Sequence, residues 1–117
     1  MSASATFSQA SRELKVKHQE MKNEVTHNYD RRQIDLDCTM ELLRNERSYY
    51  IARLNKGDDL DEMRAHIDEL SEKIARCRME KVETDRERKA AINALRRRYN
   101  EEVDALETEY SKKGGEL

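Results

Sequence analysis

The chain has 117 residues, with 23 Lys and Arg against 25 Asp and Glu, three Gly, no Pro and no Trp; charged residues make up 41% and hydrophobic ones 36%. So polar a chain cannot fill the core of an ordinary globule, and it must either stay disordered or fold as an extended helical object whose residues mostly see water. The missing prolines and scarce glycines select helices, and no stretch approaches the roughly 20 apolar residues that span a bilayer. The N-terminal MSASATFSQ has neither a basic start nor an apolar run, so no secretory signal is read there and the cytoplasm is the expected location. A net charge of −2 gives no general attraction to nucleic acid or membranes.

Helix punctuation falls at three places. Thr6-x-x-Gln9 has the form of a capping box, which predicts a first helix over about residues 7–55. Gly57 supplies the left-handed residue that ends a helix, with Lys56 at the negative end of the dipole, so residues 56–58 are expected to turn. Asp59-x-x-Glu62 offers a second capping pair, and acids there suit the positive end of a new helix over about 59–112. Gly114-Gly115 then ends it, leaving residues 113–117 as a frayed tail. Each helix would be on the order of 75 to 80 Å long.

Periodicity says how these helices pack. In the first, an eleven-residue repeat selects Phe7, His18, Tyr29, Met40 and Ile51, then Ala10, Met21, Arg32, Leu43 and Leu54, then Leu14, Val25, Leu36 and Arg47. Eleven residues over three turns gives a stripe that runs nearly straight, unlike a strict heptad. The second helix opens in heptads through Leu60, Met63, Ile67, Leu70, Ile74 and Cys77, then weakens between Arg78 and Lys89, where only Met79 and Val82 are apolar. Ile92, Leu95, Tyr99, Val103, Leu106 and Tyr110 resume the pattern.

Folding the chain back at Gly57 pairs residues whose numbers sum to about 114, setting Leu43 against Leu70, Leu14 against Tyr99, His18 beside Leu95 and Phe7 against Leu106. The polar centre near Arg32 then faces the stretch from Val82 to Asp85, and two weak zones falling opposite one another favour an antiparallel arrangement. The expected fold is all-α, a single long antiparallel two-helix coiled-coil hairpin. A second apolar stripe on the first helix, Ile34, Cys38, Leu42, Tyr49 and Tyr50, lies off this seam and wants a cover. That makes it the candidate protein interface, and a second copy would complete a homodimeric four-helix bundle near the turn.

Two charge clusters stand out. Asp58, Asp59, Asp61 and Glu62 crowd the hairpin tip. Such a tip resembles, in shape and charge, those of the bacterial transcript-cleavage and stringent-response regulators that reach into the secondary channel of RNA polymerase, which implies an acidic-tip regulator inserting into a larger complex. Helix capping and dipole stabilisation account for acids at the same positions. Arg86, Arg88, Lys89, Arg96, Arg97 and Arg98, with Lys15, Lys17 and Lys22 alongside in the hairpin register, form a basic zone. It is similar in shape to the tRNA-binding arm of seryl-tRNA synthetase and would grip nucleic acid through phosphates. Ion pairing along solvated helix faces is the competing explanation.

Chemistry is not expected. Glu24-x-x-His27 has the spacing of di-iron carboxylate bundles, but Val25 and Tyr29 on the seam put His27 on the outer face. His18 reads as a packing residue and His66 as a flanking, exposed one. Cys38 and Cys77 stand at similar heights but point differently, and their spacing suits neither zinc nor a disulfide framework. Two thin helices offer no concavity, nucleophile–base pair or Gly-rich loop, so no enzyme activity, cofactor or metal is expected. The outline is similar to the two-helix export-stalk proteins of flagellar and type III secretion systems, which implies a scaffold, adaptor or assembly factor working through helix–helix contacts.

Overall fold

A computed structural model describes residues 3–114, which form two helices, α1 (Ala3–Asn55) and α2 (Leu60–Gly114), joined by one tight turn. Among the described residues there is no strand. The molecule is a two-helix hairpin whose packing falls into two compact units. The tip unit is Tyr29–Arg86 and contains the turn; the end unit joins the residues before Tyr29 to those after Arg86.

The turn is built from cap chemistry. The Gly57 N–H donates to the Leu54 carbonyl at 3.0 Å and the Asp58 N–H to the Arg53 carbonyl at 3.2 Å, the two bonds of a Schellman motif. That geometry needs a left-handed residue at Gly57, whose φ is +94°. Asp59 then caps α2: its Oδ1 accepts the Glu62 N–H at 2.8 Å and its carbonyl accepts the Met63 N–H at 3.0 Å. The start of α1 differs from expectation. The helix begins at Ala3, so Thr6 lies inside its first turns and not at a cap. Helix α2 continues through Gly114, and the rest of the expected tail, 115–117, lies outside the described residues.

In the tip unit both helices keep a heptad. Tyr29, Gln33, Leu36, Met40, Leu43, Arg47, Tyr50 and Leu54 turn away from solvent on α1, and Met63, Ile67, Leu70, Ile74, Cys77, Lys81 and Thr84 do so on α2. The buried side chains among the described residues are Met40, Met63, Leu70, Ile74 and Thr84, and all belong to this unit. Two positions read from the eleven-residue repeat are therefore displaced. Gln33 takes the seam place expected of Arg32, and Tyr50 takes that of Ile51, which is 40% exposed. On α2 the seam runs through Lys81 and Thr84, leaving Met79 and Val82 outside.

The end unit follows the other spacing. Phe7, Ala10, Leu14, His18, Met21 and Val25 on α1 are half-buried, as are Ile92, Leu95, Tyr99, Val103, Leu106 and Tyr110 on α2, in steps of three and four that repeat every eleven residues. Phe7 packs edge-on against Tyr110 at 5.7 Å between centroids, and His18 stacks on Tyr99 at 4.5 Å. Both partners lie one helical turn further along α2 than Leu106 and Leu95, where a register summing to about 114 places them.

A polar layer interrupts the tip-unit seam. Gln33 Nε2 donates to the Lys81 carbonyl at 3.0 Å, and Lys81 Nζ reaches the Asp37 carboxylate. Gln33 Oε1 and Thr84 Oγ1 are buried with no hydrogen-bond partner among the described residues. A buried hydroxyl left unmatched costs about 1–3 kcal/mol, so Thr84→Val, nearly the same shape, is expected to raise the urea-denaturation midpoint. The cap residues move it the other way. Asp59→Ala removes an N-cap at about 1 kcal/mol, and Gly57→Ala meets open space but forces an L residue to a positive φ at about 1–2 kcal/mol.

Candidate protein-interaction surface

A residue two positions after a seam residue sits about 200° round the helix, on its back. Cys38 follows Leu36 by two, Leu42 follows Met40 and Tyr49 follows Arg47, so the seam heptad itself writes a stripe on the outer face of α1. Ile34 flanks it. These side chains are held out in water: Ile34 is 60% exposed, Leu42 70% and Tyr49 58%, with Cys38 also exposed. Cys38 and Leu42 border a shallow depression with Glu41 and Asn45. The same arithmetic puts Met79, two after Cys77, on the back of α2, where it is 73% exposed beside Val82 at 61%.

Tyr50 does not belong with this stripe. It is half-buried, and its ring stacks on His66 of α2 at 4.3 Å and 10° between planes. His66 is correspondingly half-buried, not the free flanking residue that the sequence suggests. Tyr49 stays outside but is held. Its ring meets Tyr50 edge-on at 5.3 Å and lies 5.7 Å below the Arg53 guanidinium. Arg53 is anchored in turn by its Nε bond to Asp58 Oδ2 at 2.7 Å, and that bond lifts the guanidinium pKa above its ordinary range. A restrained aromatic loses less freedom on docking than a loose one.

The acidic tip divides by role. Asp59 is the N-cap, Asp58 is tied to Arg53, and Asp61 and Glu62 stand in the first turn of α2. Among the described residues no group of three or more His, Cys, Asp or Glu is arranged to hold a metal ion. His27 faces outward, and among the described residues no helix is long and apolar enough to cross a membrane. Cys38 and Cys77 are both free thiols on different faces.

The basic residues are dispersed. Arg86 belongs to the tip unit and pairs with Glu83 at 3.2 Å, whereas Lys15, Lys17, Lys22, Arg88, Lys89, Arg96, Arg97 and Arg98 belong to the end unit. Lys22 and Arg88 are half-buried beside the seam. Lys17 borders a groove with Glu13, Glu102 and Glu109, and Arg98 Nε bonds Glu102 at 3.1 Å. Arg96, Arg97 and Arg98 are consecutive, so successive side chains diverge by about 100° and do not share a face.

Comparison with protein-family models, curated proteins and solved structures returns no match to this chain. The two neighbouring tyrosines give a direct check of the seam. At concentrations too low for association, Tyr50→Ala is expected to lower unfolding free energy by about 2 kcal/mol, whereas Tyr49→Ala stays within about 0.5 kcal/mol of the parent in urea titrations.

Proposed function

We propose that this chain is a non-enzymatic coiled-coil scaffold, adaptor or assembly factor that acts through helix–helix contacts and associates with itself, at least as a homodimer that brings four helices together near the turn. One observation carries the reading. Ile34, Leu42 and Tyr49 are large apolar side chains on a single face, and each is more than half exposed. A polar hairpin that needs every apolar group it has for its own seam gains nothing by leaving these in water, and such a stripe is the anchor set of a helix-on-helix contact. Each side chain fully covered contributes roughly 1.5 to 3 kcal/mol, a large addition for so thin a core.

The setting that suits this activity is a reducing one such as the cytoplasm, since Cys38 lies exposed within the stripe as a free thiol. Sedimentation equilibrium tests the proposal. Leu42→Asp combined with Tyr49→Asp is expected to convert the associated protein to monomer with its helix content retained; an unchanged mass would sink it.

A further inference from the structure

The seam of the end unit sorts charge by side. A residue one place after a seam residue lies about 100° round the helix in one direction, and a residue one place before it lies as far round in the other. Antiparallel packing brings the places before the seam, on both helices, to one common flank and the places after it to the opposite flank. Glu13 and Lys17, before Leu14 and His18, share a groove on the first flank with Glu102, Ala105 and Glu109, before Val103, Leu106 and Tyr110.

The contacts of Phe7 with Tyr110 and of His18 with Tyr99 set residues 15–28 of α1 level with 89–102 of α2. Over those heights the second flank carries Lys15, Gln19, Lys22 and Thr26 from α1. From α2 it carries Lys89, Asn93, Arg96 and Asn100. Every acid at the same heights lies elsewhere: Glu20, Glu24 and Glu102 are on the first flank, and Glu101 is on the back of α2. Asp104 and Glu107 follow Val103 and Leu106 onto the second flank, but level with residues 10–13, nearer the chain ends.

Pairing along the helices does not neutralise this side. Such ion pairs join residues three or four apart. Lys17 has Glu13 and Glu20 at that spacing, Arg97 has Glu101, and Arg98 has Glu101 and bonds Glu102. Lys15, Lys22 and Arg96 have no acid three or four places away in either direction, and none of them is in an ion pair among the described residues. The solvated-face explanation that suits the other bases therefore does not extend to these.

The neighbours of these bases select the ligand. No exposed apolar side chain stands among them to anchor a protein partner or enter a lipid surface. The nearby rings, His18 and Tyr99, are stacked on each other, so neither is offered to an unpaired base. Lysine and arginine set among amides and a hydroxyl are the side chains that hold phosphate and sugar oxygens. From Lys15 to Lys89 the row runs for about 20 Å, long enough to meet phosphates on both sides of a groove.

We infer that this flank of the end unit binds the phosphate backbone of a nucleic-acid duplex through Lys15, Lys22 and Arg96, without reading its sequence. This activity is separate from the α1 stripe and independent of self-association.

Fluorescence anisotropy with labelled DNA and RNA duplexes of one mixed sequence, titrated over a salt series, tests it. Lys15→Gln with Lys22→Gln and Arg96→Gln should weaken binding at least about tenfold and lower the salt slope by about three. Lys17→Gln with Arg97→Gln and Arg98→Gln removes the same charge from other faces and, at moderate salt, should change affinity by less than about threefold. Binding of either duplex, with loss confined to the first variant, supports the inference, and the tighter duplex tells which backbone the flank fits. Four results overturn it: no binding of either duplex at the lowest salt, equal loss in both variants, tighter binding of the unpaired strand than of its duplex, or partition onto phosphatidylserine vesicles with no duplex bound. Far-UV circular dichroism checks that each variant keeps its helices. Should the first fail, lysine acetylation of the wild type decides: bound duplex should protect Lys15 and Lys22 but not Lys17, and equal reactivity of all three overturns the inference.

Discussion

Two helices lying side by side can hide only one stripe each, and the rest of this molecule follows from that limit. A helix in a larger bundle buries two or three faces; here the remaining circumference stays in water, which a composition of 41% charged residues supplies. Among the described residues burial from solvent is confined to Met40, Met63, Leu70, Ile74 and Thr84. The rest of the seam is half-buried, and short-range pairs on the solvated faces, such as Lys73 with Glu69 at 3.2 Å and Arg76 with Glu72 at 3.6 Å, add no more than about a few tenths of a kcal/mol each. Under those terms an exposed leucine or tyrosine is conspicuous, because the seam has no apolar residue to spare.

The two packing units differ in the spacing of their apolar stripes, and both helices change spacing at the same boundary. Seven-residue spacing in the tip unit under-winds the stripe and favours a left-handed supercoil, while eleven-residue spacing in the end unit keeps it close to straight. At the end of the tip unit the usual order of inside and outside is reversed. Gln33, Lys81 and Thr84 occupy the seam while Ile34, Met79 and Val82 face water. A hydrophobic interior at this level would have been available by shifting the seam by one or two positions. Keeping polar groups inside instead holds the phase of the flanking heptads and leaves the apolar groups in water.

The two-helix hairpin was legible in the sequence because its signals are local. Missing prolines, Gly57 and the Asp59 pair act within one turn, and no tertiary contact is needed to read them. The phase of the seam was harder. Extending one eleven-residue repeat along all of α1 selects Arg32 and Ile51, whereas a change to heptads at Tyr29 selects Gln33 and Tyr50, and apolar character alone favours the wrong member of the second pair. Likewise Met79 and Val82 attract attention as apolar residues in a polar stretch, although the heptad continuing from Ile74 and Cys77 leads to Lys81 and Thr84. That Ile34, Cys38, Leu42 and Tyr49 face water followed from their offset to the seam; the half-burial of Tyr50 did not, because its partner His66 is a half-polar ring that no hydrophobic pattern flags. Thr6 has the letters of a capping box, but Ala3 to Ala5 already suit a helix, and the letters alone do not stop it.

The turn at Gly57 also sets the order in which the hairpin closes. Contacts near it join residues close in sequence, while Gln33 and Lys81 are 48 apart and pairs in the end unit are further still. Closing a long loop in one step is slow, but once the turn has formed each next layer closes only a short additional loop, and the entropic cost grows only logarithmically with loop length. On loop-closure entropy alone, closure is expected to run outward from Arg53, Gly57 and Asp59. Phe7 and Tyr110 are also only half-buried, whereas Met63 and Ile74 are buried, so local opening near the chain ends costs less than opening beside Met63 and Ile74.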